Sequence, residues 1–180
     1  DGLMKKLLSE GYEVTVMTHA NHHKAKVEES GIKVIDVGSG NVNPLKISLY
    51  IYKLYVNLKK VKPAVCLTFS VRPAIWGNLT CRMFSIPVIT NITGTGPLFE
   101  SKNIAYKVIR WIYPFALKKT KKVFFQNNDD RNLFIAHKFV SGAKTDLIPG
   151  SGVDYQKFDP ELFPSPNGKP FTFLFIGRLI

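Results

Sequence analysis

The sequence predicts an α/β protein built on a Rossmann-like, doubly wound parallel sheet, and three observations predict it. Segments of helical periodicity alternate with short apolar runs, in the order helix, strand, helix, strand. The short runs, such as "PAVCLTF" and "IPVITNI", are almost continuously apolar, as in strands covered on both faces. Helix stops and caps, among them Gly11, Asn127 and Gly142, punctuate the pattern where each element should end or begin.

The elements follow in order. Leu3, Met4, Leu7 and Leu8 have helical spacing, and Gly11 stops that helix. "YEVTVMT" is a short buried strand. A segment with His19, His22 and His23 leads to the polar helix "KAKVEESG" and the strand "IKVIDVG". Pro44 to Lys60 is strongly helical, with Ile47, Ile51, Leu54 and Leu58 on one face. "PAVCLTF" is a strand, "PAIWGNLTCRMFS" a helix and "IPVITNI" a strand, followed by the loop "TGTGPLFES". The apolar and basic segment Asn103 to Lys122 is helical, and Pro114 should kink or split it. "VFFQ" is a strand. Asn127 caps the next helix, "DRNLFIAHKFV", with Asp129 and Asp130 favouring its N-terminus. "TDLIP" is a last strand, and the proline-rich "DPELFPSPNGKP" is a linker before a fresh strand, "FTFLFI".

A doubly wound sheet needs a strand before its first helix, and the pattern opens on that helix. The expected organisation is therefore a domain over residues 1–159 that is incomplete at its first strand. A linker over 160–170 and the first strand of a second Rossmann-like domain over 171–180 follow.

Composition narrows the function classes. A chain that is 45% hydrophobic and 21% charged is ordinary globular protein, and no apolar run reaches the ~18 residues of a spanning helix. The formal net charge of +12 favours an anionic partner: nucleic acid, anionic lipid or a phosphorylated substrate. Cys66 and Cys81 lack metal-ligand spacing and read as core residues, which fits a reducing, cytoplasmic setting. The histidines have no carboxylate at metal spacing and read as a solvated linker.

Ligands of open α/β sheets bind at the carboxyl ends of the strands. The loops there hold His19 to His23, Ser70 to Pro73, Thr93 to Glu100, Asn127 to Arg131 and Pro149 to Asp154. In "TGTG", Thr93, Gly94, Thr95 and Gly96 let backbone N–H groups approach an anion or a sugar, although a plain tight turn fits as well. Arg72, just past a strand end, suits an anion or an ordinary surface. Lysines and aromatics mix on Pro44–Lys60 and on Asn103–Lys122, including Lys118, Lys119, Lys121 and Lys122. Such helices suit a membrane interface, or they pack on the sheet and expose their lysines. No nucleic-acid motif is present, and nucleic acid is not expected as a partner.

The ordered set "LMKKLLSEGYEVTVMT", "KPAVCLTFSVRPAIWGNLTCRMFSIPVIT", "VFFQNNDDRNLFI", "IPGSGVDYQKFDP" and "FLFIGRL" resembles the N-terminal, acceptor-binding half of family 4 glycosyltransferases of the GT-B fold. It is most similar to bacterial enzymes that extend polyprenyl-diphosphate-linked saccharides in surface-polysaccharide or glycan synthesis. The resemblance implies a retaining hexosyltransferase that uses a nucleotide sugar, such as a UDP-sugar, without a cofactor or bound metal. It also implies a peripheral position on the anionic inner face of the plasma membrane, and a fragment that is inactive without its donor domain. It places Arg72 and Thr93 to Gly96 at the acceptor. Gly150, Ser151, Gly152 and Asp154 fall at the interdomain cleft, and Gly177 and Arg178 at the donor diphosphate, where a cation stabilises the departing charge. Thr93 stands where many members carry a histidine, so no histidine-dependent role transfers. Two alternatives stand beside this reading: a non-catalytic Rossmann-like module binding anionic lipid or nucleic acid, and a GT-B UDP-sugar epimerase.

Overall fold

The computed structural model describes residues 2–19, 24–38, 43–150, 152, 153, 155, 156, 158–162, 168, 173 and 174. The chain forms two compact units, Asp1–Pro149 and Gly150–Ile180. In the second unit the described backbone includes a short 3-10 turn, Pro160–Leu162, opened by Asp159, whose carboxylate accepts the Glu161 N–H at 2.9 Å.

The first unit alternates helix and strand as the sequence predicts. Its helices are α1 (Gly2–Ser9), α2 (Lys24–Glu28), α3 (Pro44–Val61), α4 (Asn78–Met83), α5 (Ile104–Leu117) and α6 (Asn128–Ala136). Its strands are β1 (Thr15–Thr18), β2 (Lys33–Asp36), β3 (Cys66–Phe69), β4 (Val88–Ile92), β5 (Lys122–Phe125) and β6 (Thr145–Leu147). Every strand pairing among the described residues is parallel. Where the pattern suggests one sheet, the described strands form two: β1-β2, and β3-β4-β5-β6. Among the described residues, β1 and β3 each keep one edge without a strand partner.

Helix α3 spans both sheets. Tyr50 and Leu54 pack with Val37, Ile35 and Met17 on the side of the smaller sheet. One turn on, Leu58 packs with Cys81, Val88 and Cys66 on the larger. The buried stripe is thus Tyr50, Leu54 and Leu58, and the expected Ile47 and Ile51 are only half-buried. Asn43 caps the helix by accepting the Leu45 N–H at 2.9 Å, and Lys62 in the left-handed region ends it.

The main core lies between the larger sheet and its helices. Tyr113, Phe125 and Phe134 are fully buried, with Phe139 and the half-buried Phe99 joined to them by stacked and edge-on ring contacts. Such pairs contribute about 0.5–1.5 kcal/mol each beyond their buried area. This core explains two departures from sequence expectation. Helix α5 runs unbroken through Pro114. The lost backbone bond is outweighed because Tyr113, Ala116 and Leu117, on either side of the proline, are all buried. Helix α6 ends at Ala136, well before Gly142. Lys138 adopts φ 56°, and the Phe139 N–H returns to the Phe134 carbonyl at 2.9 Å. The left-handed residue costs about 1–2 kcal/mol, which burial of Phe139 and Val140 offsets.

A buried polar chain pins α4 to the larger sheet. The Thr68 and Thr90 hydroxyls lie 2.9 Å apart. Asn78 Nδ2 donates to Thr90 Oγ1 at 2.9 Å and to the Ala74 carbonyl at 2.8 Å, and Thr120 Oγ1 donates to Asn78 Oδ1. Beside it, Gly77 comes so close to β3 that a Cβ there would sit 3.1 Å from the Thr68 methyl carbon. The segment predicted as one helix from Pro73 begins as a π-helical turn, Pro73–Gly77, and becomes α-helical only at Asn78. The Cys81 thiol, hydrogen-bonded with Cys66 and buried, is held well above its ordinary range, and the same bond draws the half-buried Cys66 thiol down; both cysteines pack with Leu58 and Val88.

Candidate functional site

The parallel register brings the carboxyl ends of β3, β4, β5 and β6 to one edge, where open sheets bind ligands. Backbone strain marks the β3 end. Ser70 takes φ +65°, while its N–H still donates to the Asn91 carbonyl at 3.2 Å. A non-glycine residue in this region costs free energy and gathers at functional sites. The π-helical turn begins directly after Arg72, and such turns also recur at functional sites.

Arg72 is not a free surface cation. It is half-buried, with its guanidinium carbon 5.7 Å from the centre of the Tyr50 ring. Burial pushes the Tyr50 hydroxyl above its ordinary range, and the Arg72 charge partly opposes that shift. The ring therefore packs against the guanidinium just past the β3 end.

After β4, the loop 93–101 is held from two sides. Thr95 Oγ1 donates to Asp130 Oδ1 at 3.0 Å, and Asn127 Nδ2 donates to the other oxygen of that carboxylate at 3.0 Å. Asn127 Oδ1 in turn accepts the Asp130 N–H at 2.7 Å, the cap expected from the sequence. On the other side, Arg110 of α5 donates from Nη1 to the carbonyls of Leu98 and Ser101. Around the Thr95 anchor, Thr93 is exposed, Gly94 has φ +154° and Gly96 φ +49°. Side chains rarely adopt either glycine conformation, so this stretch presents a bare backbone and one hydroxyl. The arrangement suits hydrogen bonding to a polyhydroxylated or anionic ligand.

The structure thus brings Thr93 to Gly96 together with Asn127 and Asp130, and sets Arg72 against Tyr50. Gly150 and Gly152, in the second unit, have φ +78° and +72° with open space where a Cβ would stand. Ser151, Asp154, Gly177 and Arg178 lie outside the described residues. Sequence reasoning passed over Asn91. Its side-chain oxygen is buried at the β4 end without a hydrogen-bond partner among the described residues, which costs about 1–3 kcal/mol. The signal was a lone amide inside the otherwise apolar run "IPVITNI".

Two open grooves lie at the opposite end of the unit. One of about 470 Å³ is lined by Leu58, Lys62, Phe84 and Pro87, and one of about 460 Å³ by Pro114, Leu117, Lys118, Lys138 and Lys144 among others. No three His, Cys, Asp or Glu side chains among the described residues are grouped to hold a metal ion.

Comparison with known proteins identifies the frame on which this edge is built. The model of a family described as glycosyl transferase 4-like matches residues 2–127, which include Arg72, the whole Thr93–Gly96 loop and Asn127. The chain belongs to the glycosyl transferase 4-like family. Its similarity to a UDP-Gal:α-D-GlcNAc-diphosphoundecaprenol α-1,3-galactosyltransferase of Escherichia coli is 30% identity over 149 residues, 77% of this chain. The chain spans about two-fifths of that relative, 38% of its length. Among solved structures, a glycosyltransferase from Rickettsia africae is similar over 90% of this chain and 40% of its own, with a TM-score of 0.66 and 21% identity. MurG of Acinetobacter baumannii is similar over 86% and 41%, with a TM-score of 0.55 and 14% identity. These likenesses show the fold, the Rossmann-like α/β unit of GT-B glycosyltransferases. In this glycosyl transferase 4-like chain, Gly150 to Asp154 and Gly177–Arg178 fall beyond the matched stretch.

Proposed function

We propose that the full protein is a retaining hexosyltransferase. It moves a sugar from a nucleotide-sugar donor, a UDP-sugar, to a polyprenyl-diphosphate-linked saccharide, and it works peripherally on the anionic inner face of the plasma membrane. The observation that carries this reading is the 30% identity to the Escherichia coli galactosyltransferase, whose name states a UDP-sugar donor and a lipid-diphosphate acceptor. The site agrees with it: a polar, glycine-rich edge with a fixed cation is suited to a sugar and a diphosphate.

In this reading the first unit is the acceptor side. Thr93 and the backbone of Gly94 to Gly96 hydrogen-bond the acceptor saccharide, and Arg72, set by Tyr50, meets its diphosphate. Gly150, Ser151, Gly152 and Asp154 border the donor, and Gly177 and Arg178 meet the donor diphosphate. As the glycosidic bond to that diphosphate breaks, negative charge builds on the leaving oxygen. A guanidinium there stabilises the transition state more than the ground state. In this reading residues 1–180 alone do not turn over, because they span 38% of the relative's length and carry only part of the donor side.

The test uses the full-length protein with radiolabelled UDP-galactose and a GlcNAc-diphosphate-lipid acceptor. The expected product is a lipid-linked disaccharide that retains the anomeric configuration of the donor. Arg178→Ala should lower kcat/KM by about 10²–10³-fold, the scale for loss of one such donor. No transfer from any of a panel of UDP-sugars to any lipid-diphosphate acceptor would overturn the reading.

A further inference from the structure

Among the described residues, Lys62, Ser70, Ser85 and Lys138 are the non-glycine residues with a positive φ. Three of them close helices, where a left-handed residue is the ordinary stop. Lys62 is the C-cap of α3, Ser85 follows Phe84, the C-cap of α4, and Lys138 follows His137, the C-cap of α6. Ser70 is the exception. It stands at the carboxyl end of β3 and leads into a helical turn rather than out of one.

Its neighbours impose this conformation. The Ser70 N–H donates to the Asn91 carbonyl at 3.2 Å, and the Ser70 carbonyl accepts the Ala74 N–H at 3.1 Å. Glycine would meet the same demand without the steric cost of a Cβ, and asparagine at a lower cost than serine. The serine hydroxyl adds nothing to the fold that offsets this cost. Among the described residues no hydrogen bond engages it, and the helical turn that follows has no side-chain cap. The residue is exposed at the edge where open sheets bind ligands. A strained residue whose side chain makes no internal bond is placed for a ligand.

The surroundings point to the ligand's chemistry. Ser70 is two residues before Arg72, and it is bonded to Asn91, which is two residues before Thr93. Asn91 keeps its own buried side-chain oxygen without a partner among the described residues. Thr93 is exposed, and its hydroxyl is as unengaged as that of Ser70. The ends of β3 and β4 therefore carry one free hydroxyl each. Neighbouring strands lie about 4.8 Å apart, a span that the hydroxyls of one sugar ring can bridge. We infer that the Ser70 hydroxyl is a further ligand contact, hydrogen-bonded to a hydroxyl of the acceptor sugar that adjoins the diphosphate, between Thr93 and Arg72. The inference rests on the proposed function in taking this edge as the acceptor side.

The test uses the full-length protein and, as probe, GlcNAc-diphosphate carrying a short alkyl tail. Binding is measured by calorimetry without donor, so its outcome is separate from that of the transfer assay. Ser70→Ala removes the hydroxyl and keeps the backbone strain, whereas Ser70→Gly removes both. Each should weaken probe binding by about three- to tenfold, the scale of one net hydrogen bond. Each should also raise the acceptor KM and leave the donor KM unchanged. The urea-unfolding midpoint of Ser70→Gly should lie above that of Ser70→Ala. Ser70→Asn, which tolerates this φ and keeps a hydrogen-bonding side chain, should recover part of the binding. A serine that only shaped the backbone would move the midpoint and leave probe binding unchanged. Parent-like binding by both the Ala and the Gly variants would therefore overturn the inference alone. So would a loss confined to Ser70→Gly, which would trace to backbone freedom, or a midpoint lowered by both, which would reveal an internal bond to the hydroxyl. A parent protein that does not bind the probe would overturn it together with the acceptor reading. Probe binding without transfer from any UDP-sugar would overturn the transfer reading, and the Ser70 variants would still decide the contact.

Discussion

The two sheets of the first unit differ in how deeply their helices are sunk. Around β1 and β2, neither α1 nor α2 buries a single residue, and β1 is at best half-buried along its length. Around β3 to β6, α5 and α6 enclose Tyr113, Phe125 and Phe134 with no exposed surface. The amphipathic pattern is of similar quality in both halves. Leu3, Met4, Leu7 and Leu8 are as well spaced as the apolar residues of α5, yet Leu3 is 52% exposed. Periodicity specifies which face of a helix is available for burial. How far that face is buried depends on what stands opposite it.

Three predictions test that contrast, in order of expected effect. Phe134→Ala should destabilise the protein by about 3–5 kcal/mol, the scale for emptying a fully buried aromatic site. Leu7→Ala in α1 should cost well under half as much. Urea-unfolding midpoints of the two variants measure the difference, and equal losses would mean that α1 is as firmly packed as α6. Asn78→Ala comes second, since it leaves Thr90 and Thr120 to find new partners in the interior. It should cost about 1–3 kcal/mol, and Asn78→Asp should not rescue it, because a buried carboxylate cannot donate to Thr90 or to the Ala74 carbonyl.

The smallest effect concerns Asp146 at the β5–β6 edge. Its carboxylate accepts the Leu147 N–H at 3.0 Å and lies 3.3 Å from Lys122 Nζ, and these two contacts, in that order, hold it below the ordinary 3.8. A carboxylate whose folded value is depressed adds stability above its unfolded value and loses it as the pH falls through the folded one. Because the group is exposed, the contribution is small. Asp146→Asn should therefore lower the urea midpoint slightly at pH 7. The variant and the parent should converge as the pH drops below 3.8.

Parts of the site were legible and parts were not, for a physical reason. The cap at Asn127 follows from one residue type at one position, because capping is local. The glycines of the Thr93–Gly96 loop likewise advertise a backbone that other residues cannot adopt. Nothing local joins Thr95 to Asp130, Arg72 to Tyr50, or Arg110 to the Leu98 carbonyl. Thr95 meets Asp130 because the parallel register sets the β4 and β5 ends side by side, while Tyr50 of α3 and Arg110 of α5 reach their partners through helix packing.

By itself, then, the sequence determined the α/β order, the parallel pairing implied by apolar strands, the positive charge and the loops that gather at the carboxyl edge. These depend on spacing and residue type within a few residues. Only the tertiary structure decided that α5 passes through Pro114, that α6 stops at Ala136, and that a chain of buried hydroxyls and one amide locks α4 to the sheet. In each case a local preference was overruled by burial of side chains distant in sequence: Tyr113 and Leu117 across the proline, Phe139 beyond the left-handed lysine, Thr68 and Thr120 around Asn78. Propensities of a fraction of a kcal/mol to about 3 kcal/mol yield when several large side chains enter one core.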